Sequence, residues 1–320
     1  MRPDGVQWGG AGRIGAGCQG GARKLMVLRC CAGGSLADHP MTSIDDVAAL
    51  PLDQRTGPLV ELGRGMRPED PGAPRFVALA VEIVEAGVGA GRQRLELGEI
   101  LGRLGDPRLR TPDQPDYWVT VSSDQGPIVI GRHLVTNHEY TRWVEQGGYE
   151  HREHWSDDGW AWLQGCPDPW PVRARAPGSE PFLVPNQPVV GVTWFEAEAY
   201  ARSVGARLPR ADERVWVVRG RERRPYPWGS PFGEGNANTR EEVLGRPCAV
   251  GLYVRDRTPE GVTDLAGNAA EWTADGVGNE RLVHPGAFDQ PSLASWAKAL
   301  AMVSPDSRWG GLGFRLCKDA

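Results

Sequence analysis

At 320 residues, with 40% hydrophobic and 24% charged residues, the chain has the make-up of a folded globular protein. That length leaves room for two domains, or for one large domain and an appendage. A formal charge of −5 argues against non-specific nucleic-acid binding, which rests on net basic surface. No apolar run approaches the ~18 residues of a membrane span, so no membrane partner is expected. The 43 glycines and 27 prolines imply many turns and short elements, and the 13 tryptophans imply a loop-rich core that uses indole as filler. Cys18, Cys30, Cys31, Cys166, Cys248 and Cys317 show neither a C-x-x-C pair nor zinc spacing. They read as isolated reduced thiols, and the expected compartment is the cytoplasm.

Residues 1–40 are Gly-rich and basic, and Leu25–Leu28 is too short for a signal-peptide core. Met41 looks like the more natural start, so this segment is expected to be disordered or a gene-start artefact. Residues 41–110 read as helical. Phe76, Leu79, Ala80, Ile83 and Val84 share one face, as do Leu97, Ile100, Leu101 and Leu104, and Gly105-Asp-Pro107 stops the second run. Together they resemble one HEAT-type hairpin, which cannot bury its own face and must pack on the larger domain or on a partner. A linker at 111–116 follows.

From 117 to 320 the pattern changes. Short strands are expected at Tyr117–Val121, Pro127–Gly131, Arg281–Val283 and Gly313–Cys317. Helices are expected from Thr136 or Asn137, from Phe195 to Val204 behind a Thr193/Glu196 capping box, and over about Asp212–Arg219. Several segments here resemble the formylglycine-generating enzyme, or sulfatase-modifying factor, domain. They are Val135-Thr-Asn-His-Glu-Tyr, Pro188-Val-Val-Gly-Val-Thr-Trp, Ala206-Arg-Leu-Pro-Arg-Ala-Asp-Glu-Arg, Tyr226-Pro-Trp-Gly, Ala237-Asn238, Asp264-Leu-Ala-Gly-Asn-Ala-Ala-Glu-Trp and Gly313-Phe-Arg-Leu, in the family's order. The resemblance implies an α+β, C-type-lectin-like domain with little regular secondary structure, preceded by the short helical segment.

The same resemblance bears on chemistry. The thiol-oxidising members use a cysteine pair that falls here near Ser292 and Ala297, and neither can bind copper(I) as a thiolate. A second group of relatives, the sulfoxide synthases of ergothioneine synthesis, adds a helical bundle carrying an iron-binding histidine cluster. Residues 42–110 hold no histidine, and His151 and His154 lie in a loop without a third candidate. No copper or iron site is therefore identified, and the protein is expected not to be an enzyme. By position, the family's structural calcium would be held by the carboxylates of Asp264 and Glu271 and the carbonyls of Gly267 and Ala269.

A third group, the variable proteins of diversity-generating retroelements, fits the layout of residues 286–317 best. They present a hypervariable C-terminal surface. Here that surface would comprise Ser295, Trp296, Lys298, Leu300, Met302, Val303, Ser307, Trp309, Gly310 and Gly311, with Ala297, Ala299 and Ala301 pointing inward on an extended stretch. The alternative is that the segment packs as core. Trp194, Trp216, Trp228 and Trp272 are expected in the core, and Trp296 and Trp309 at the surface. The leading expectation is a non-enzymatic protein binding a macromolecule through this patch, with a further partner for the N-terminal helices. The rivals are a sulfatase-modifying or iron-dependent oxidoreductase of the same family, or a module that has lost catalysis.

Overall fold

The computed structural model describes residues 43–89, 91–166 and 178–319. The expectations for residues 1–40, including Cys18, Cys30 and Cys31, lie outside them.

Four helices open the described chain: α1 (Ile44–Ala48), α2 (Thr56–Gly63), α3 (Ala73–Ala86) and α4 (Gly91–Leu104). The apolar faces of α3 and α4 bury Phe76, Ile83, Val84, Leu97 and Leu101 completely. Helix α1 and helix α2, which periodicity did not reveal, close over them with Val47, Leu59 and Val60. This cluster also takes in Leu244, Cys248, Leu252 and Tyr253 from the far part of the chain. Glycine permits the contact: a Cβ at Gly102 would stand 2.2 Å from Asn186 Oδ1. The Asn186 amide donates to Gly98 O (2.9 Å) and to Asp106 Oδ2 (2.8 Å), and Arg246 pairs with Glu99 at 2.7 Å. Helices and lectin-like region thus share a core, and residues 41–320 form one compact unit.

Strands β1 (Trp118–Ser123) and β2 (Gly126–Gly131) make an antiparallel hairpin from Trp118↔Gly131 to Ser123↔Gly126. Helix α5 (Asn137–Glu145) begins at a capping box in which Thr136 and Glu139 satisfy each other's backbone N–H groups, and α7 (Trp194–Ser203) repeats the device with Thr193 and Glu196. Between them lies α6 (Asp157–Gly165), and α8 (Ala211–Arg219) follows.

The second sheet has the order β5-β4-β3-β6, with β3 (Ala270–Val277), β4 (Glu280–His284), β5 (Ala301–Val303) and β6 (Leu312–Gly313). Strand β3 runs parallel to β6 and antiparallel to β4. Finally β7 (Cys317–Lys318) returns to β2, pairing Cys317 with Ile130.

The core between these layers is aromatic, with Tyr140, Trp143, Trp155, Trp194, Tyr200, Trp272 and Phe314 in one cluster. Indole N–H groups are satisfied inside it: Trp272 donates to Val192 O (3.0 Å) and Trp194 to Thr273 O (2.8 Å). Two of the four tryptophans expected as core are not. Trp216 and Trp228 are half-buried. Trp228 stacks on Tyr226 with centroids 5.2 Å apart.

Candidate functional site

Two sequence motifs that looked independent meet in the centre of the domain. Strand β3 places Glu271 in parallel register with Gly313, two residues before Arg315. Helix α8 delivers Arg214. Both guanidinium groups grip Glu271: Arg214 Nη2 at 2.7 Å on Oε1, and Arg315 Nε on Oε2. Arg315 also donates to the carbonyls of Thr263 and Asp264, each at 3.0 Å. All three side chains are buried to within 1%. Burial pushes the Glu271 carboxyl up, but the two cations win and hold it below the usual carboxylate range.

This arrangement bears on the cation expected here. The Glu271 oxygens are taken by guanidinium groups. Asp264 accepts from Gly251 N–H (2.7 Å), the Thr263 hydroxyl (2.8 Å) and the Asn268 amide (3.3 Å). A hard cation needs bare oxygens, so the set Asp264, Gly267, Ala269 and Glu271 does not fit calcium. The turn has an organiser that sequence reading missed. Asp256 accepts the backbone N–H groups of Leu265, Ala266 and Gly267, and burial together with the Asp264 charge pushes it up to about 8. Among the described residues no three His, Cys, Asp or Glu side chains group as a metal would require.

The C-terminal strip follows the expected alternation over part of its length. Trp296, Lys298, Leu300 and Met302 are exposed, Trp296 at 45%, Leu300 at 43% and Met302 at 56%. Ala297 is buried and Ala299, Ala301 and Val303 are half-buried. Over residues 301–303 the reason is edge pairing, β5 lying against β4 with Leu282 opposite Met302, whereas residues 296–298 form a turn after the 3-10 segment. Leu293, at 80% exposed, extends the apolar surface.

Other members of the expected patch do not belong to it. Ser295 is buried, turned inward at the end of the 3-10 segment Ser292–Ser295. Gly311 is also buried: its carbonyl accepts the Ala270 N–H (2.8 Å), and an added Cβ would lie 2.9 Å from Asp289 Oδ1. Ser307, Trp309 and Gly310 are half-buried, Trp309 packing against the aromatic core.

Beside the strip opens a cleft of 640 Å³, bounded by α8 and by Lys298 and Leu300. Trp216 forms one wall, its ring fixed by an N–H bond to Ser122 O (3.0 Å). Arg210, Arg219, Arg223 and Lys298 bring positive charge, and Asp212 and Asp275 bring negative. Sequence reading put Trp216 in the core and passed over Arg219 and Arg223. Arg219 sits three residues after Trp216 on α8, whereas Arg223 lies beyond the Gly220 cap in a turn, where helical spacing gives no signal.

The histidines scatter. His284 is buried with Nε2 on Trp296 O (3.1 Å), which pins the strip to β4. His151 and His154, 5.2 Å apart, line a 450 Å³ cleft with Glu139, Trp143 and Tyr200. Burial pushes Glu139 up to about 7. Of the thiols, Cys248 and Cys317 are buried, and burial pushes Cys317 up to about 12. Ser292 and Ala297 stand as the sequence places them, on a half-buried turn and in the interior.

Comparison with known proteins settles the family. The sulfatase-modifying factor enzyme 1-like domain matches residues 110–320. The chain belongs to that family. A hercynine oxygenase of Mycolicibacterium thermoresistibile is 38% identical over 157 residues, 45% of this chain and 35% of that one. The inactive C-alpha-formylglycine-generating enzyme 2 of Mus musculus is 31% identical over 264 residues, 70% of this chain and 84% of its own. Among solved structures, Treponema denticola variable protein 1 matches 61% of this chain and 85% of its own at a TM-score of 0.45 and 17% identity. The resemblance stated from motifs therefore holds, as does the mixed α+β fold. The expectation that the protein is not an enzyme is overturned, because three hercynine oxygenases match at 35, 33 and 38% identity. The chain spans only 35 to 41% of their length. No helix of the described residues is long and apolar enough to cross a membrane.

Proposed function

We propose that this chain holds an organic ligand in the cleft between α8 and the strip 293–303, as the substrate-binding part of an oxidoreductase of the kind its oxygenase relatives are named for. The carrying observation is the juxtaposition of Trp216, Leu300 and Lys298 in one 640 Å³ cleft. That volume suits a small molecule, and a few charged groups on an apolar wall would set its orientation. Four cations against two carboxylates favour a ligand with an aromatic or aliphatic body and a carboxylate. Hercynine, a histidine betaine, has that make-up and is the first probe. Titrating it into the protein should quench tryptophan fluorescence saturably, and Leu300→Asp and Lys298→Glu should each abolish the effect. Absence of saturable quenching by hercynine, histidine and indole carboxylates alike would overturn the proposal.

A second reading rests on the in-out alternation of residues 296–303. A surface whose outward side chains are decoupled from the core can vary without unfolding the domain, and could engage a macromolecular partner. A reverse transcriptase beside the gene, with a near-copy of its 3′ end differing only at adenines, would support it. A neighbourhood lacking both would remove it.

A further inference from the structure

A third cleft, of 390 Å³, lies where the chain leaving α4 meets the lectin-like region. Its lining is dominated by Arg108, Arg110, Arg132 and Arg257, with His133 at its wall. In a chain of net charge −5, four guanidinium groups around one small concavity are a local inversion of sign.

Three of the four have no carboxylate partner, and two of these three are held in place by backbone carbonyls. Arg110 Nη1 is held by the carbonyls of Pro107 (2.6 Å) and Leu109 (2.8 Å). Arg132 is held more loosely by Asp116 O and Gly261 O, both at 3.3 Å. Gly261, at φ +100°, makes room, since a Cβ there would meet Arg132 Nη1 at 2.8 Å. Arg257 is exposed, and among the described residues its side chain has no hydrogen bond or ion pair. Only Arg108 has a carboxylate partner, Asp106, which fixes it through Nε (3.0 Å) and Nη2 (2.6 Å) and leaves Nη1 over. Carbonyls orient a guanidinium but leave its charge intact, so the cleft presents aimed, uncompensated forks.

His133 reports the resulting field. Its Nδ1 contacts Thr263 Oγ1 at 2.7 Å, and Asp264 Oδ2 lies 3.9 Å away. Burial first, and then the charges of Arg108, Arg132, Arg315 and Arg257, push it well below the usual imidazole range. The acids facing the cleft are Glu85 on α3 and Asp116 before β1, both exposed.

We propose that this cleft is a phosphate site that takes the phosphoryl group of a small phosphorylated compound. Guanidinium forks match the paired oxygens of phosphate, and four of them suit a dianion better than a single carboxylate. The site joins the chain following α4 to loops of the lectin-like region, so an occupant would tie the helical segment to the domain.

The probes are inorganic phosphate and pyrophosphate, with succinate at equal ionic strength as the carboxylate control, all on the full chain. Pyrophosphate should raise the melting temperature, phosphate less so, and succinate not at all. Arg257→Gln, at an exposed unpaired position, should fold normally and weaken pyrophosphate by about tenfold, and Arg132→Gln should add to the loss. His133, followed by imidazole NMR, should titrate at higher pH when pyrophosphate is present, because the anion offsets the arginines. No pyrophosphate effect, an equal effect of succinate, a response unchanged in Arg257→Gln, or a stationary His133 titration would each overturn the proposal.

Discussion

The buried Arg214–Glu271–Arg315 centre and the exposed strip 293–303 interleave in the sequence and are built on opposite terms. In the centre, one buried carboxylate is gripped by two guanidinium groups brought from other parts of the chain, and Trp272 fills the adjoining space. In the strip, alternate side chains point away from the protein and touch little. The motifs by which the family is recognised belong to the first region. They encode the scaffold, and the exposed strip lies where the motifs stop.

The largest effects should come from breaking the centre. Glu271→Ala leaves two arginines buried without a counter-charge, and Trp272→Ala opens a cavity. Each should cost ~3–5 kcal/mol, enough to abolish cooperative unfolding of a marginally stable domain at 37 °C, as calorimetry would show. A variant that melts like the parent would erase the contrast between the two regions.

Glu139 comes next. The folded protein keeps its proton up to about pH 7, against an ordinary 4.5. Between those values the folded state binds more protons than the unfolded, so this group's contribution is fully present below pH ~4.5 and is lost as pH rises towards 7. Glu139→Gln, which preserves the capping box, should remove a decline of about 3 kcal/mol over that window. Denaturant titrations at several pH values would measure it. An unchanged slope would place the carboxyl in a more solvated setting than described.

Trp309 and Trp296 sharpen the boundary. Trp309 packs on the aromatic core, so Trp309→Ala should cost a few kcal/mol, whereas Trp296→Ser and Met302→Ser should each stay within ~0.5 kcal/mol. Equal losses at Trp296 and Trp309 would make the strip part of the core. The smallest effect expected is none. Because arginines occupy the Glu271 oxygens, exchanging chelator for calcium should leave the melting temperature unchanged, and a rise with calcium would show that the ion displaces them.

Much of the scaffold was legible because it is written locally. Thr193 and Glu196 announce a helix start three residues apart, and Phe76, Ile83 and Val84 mark a face by spacing alone. The misses have one cause in common. Helix α2 carries few residues from which to read a period. Asp256 organises a turn through backbone N–H groups, which no side-chain pattern records. Trp216 looked like core because it is a tryptophan, but its ring became the wall of a cleft whose other side arrives from residues 298–300. Glu271 was read as a cation ligand because its partners lie in other motifs, and only the fold brings guanidinium groups to it. The candidate site is assembled by such long-range meetings, so composition and period say little about it.

Strand β7 sets a condition on how the protein is made. The sheet that begins at Trp118 has its third member only at Cys317, and the Arg315 that grips Glu271 comes two residues earlier. During synthesis, the hairpin of β1 and β2 must wait with one edge bare while the intervening chain is translated. An unpaired edge strand is a template for other chains, and contacts between residues so far apart form slowly. Until residue 318 clears the ribosome the domain is open to aggregation, and a stop codon before residue 315 should yield insoluble protein rather than a slightly weakened fold.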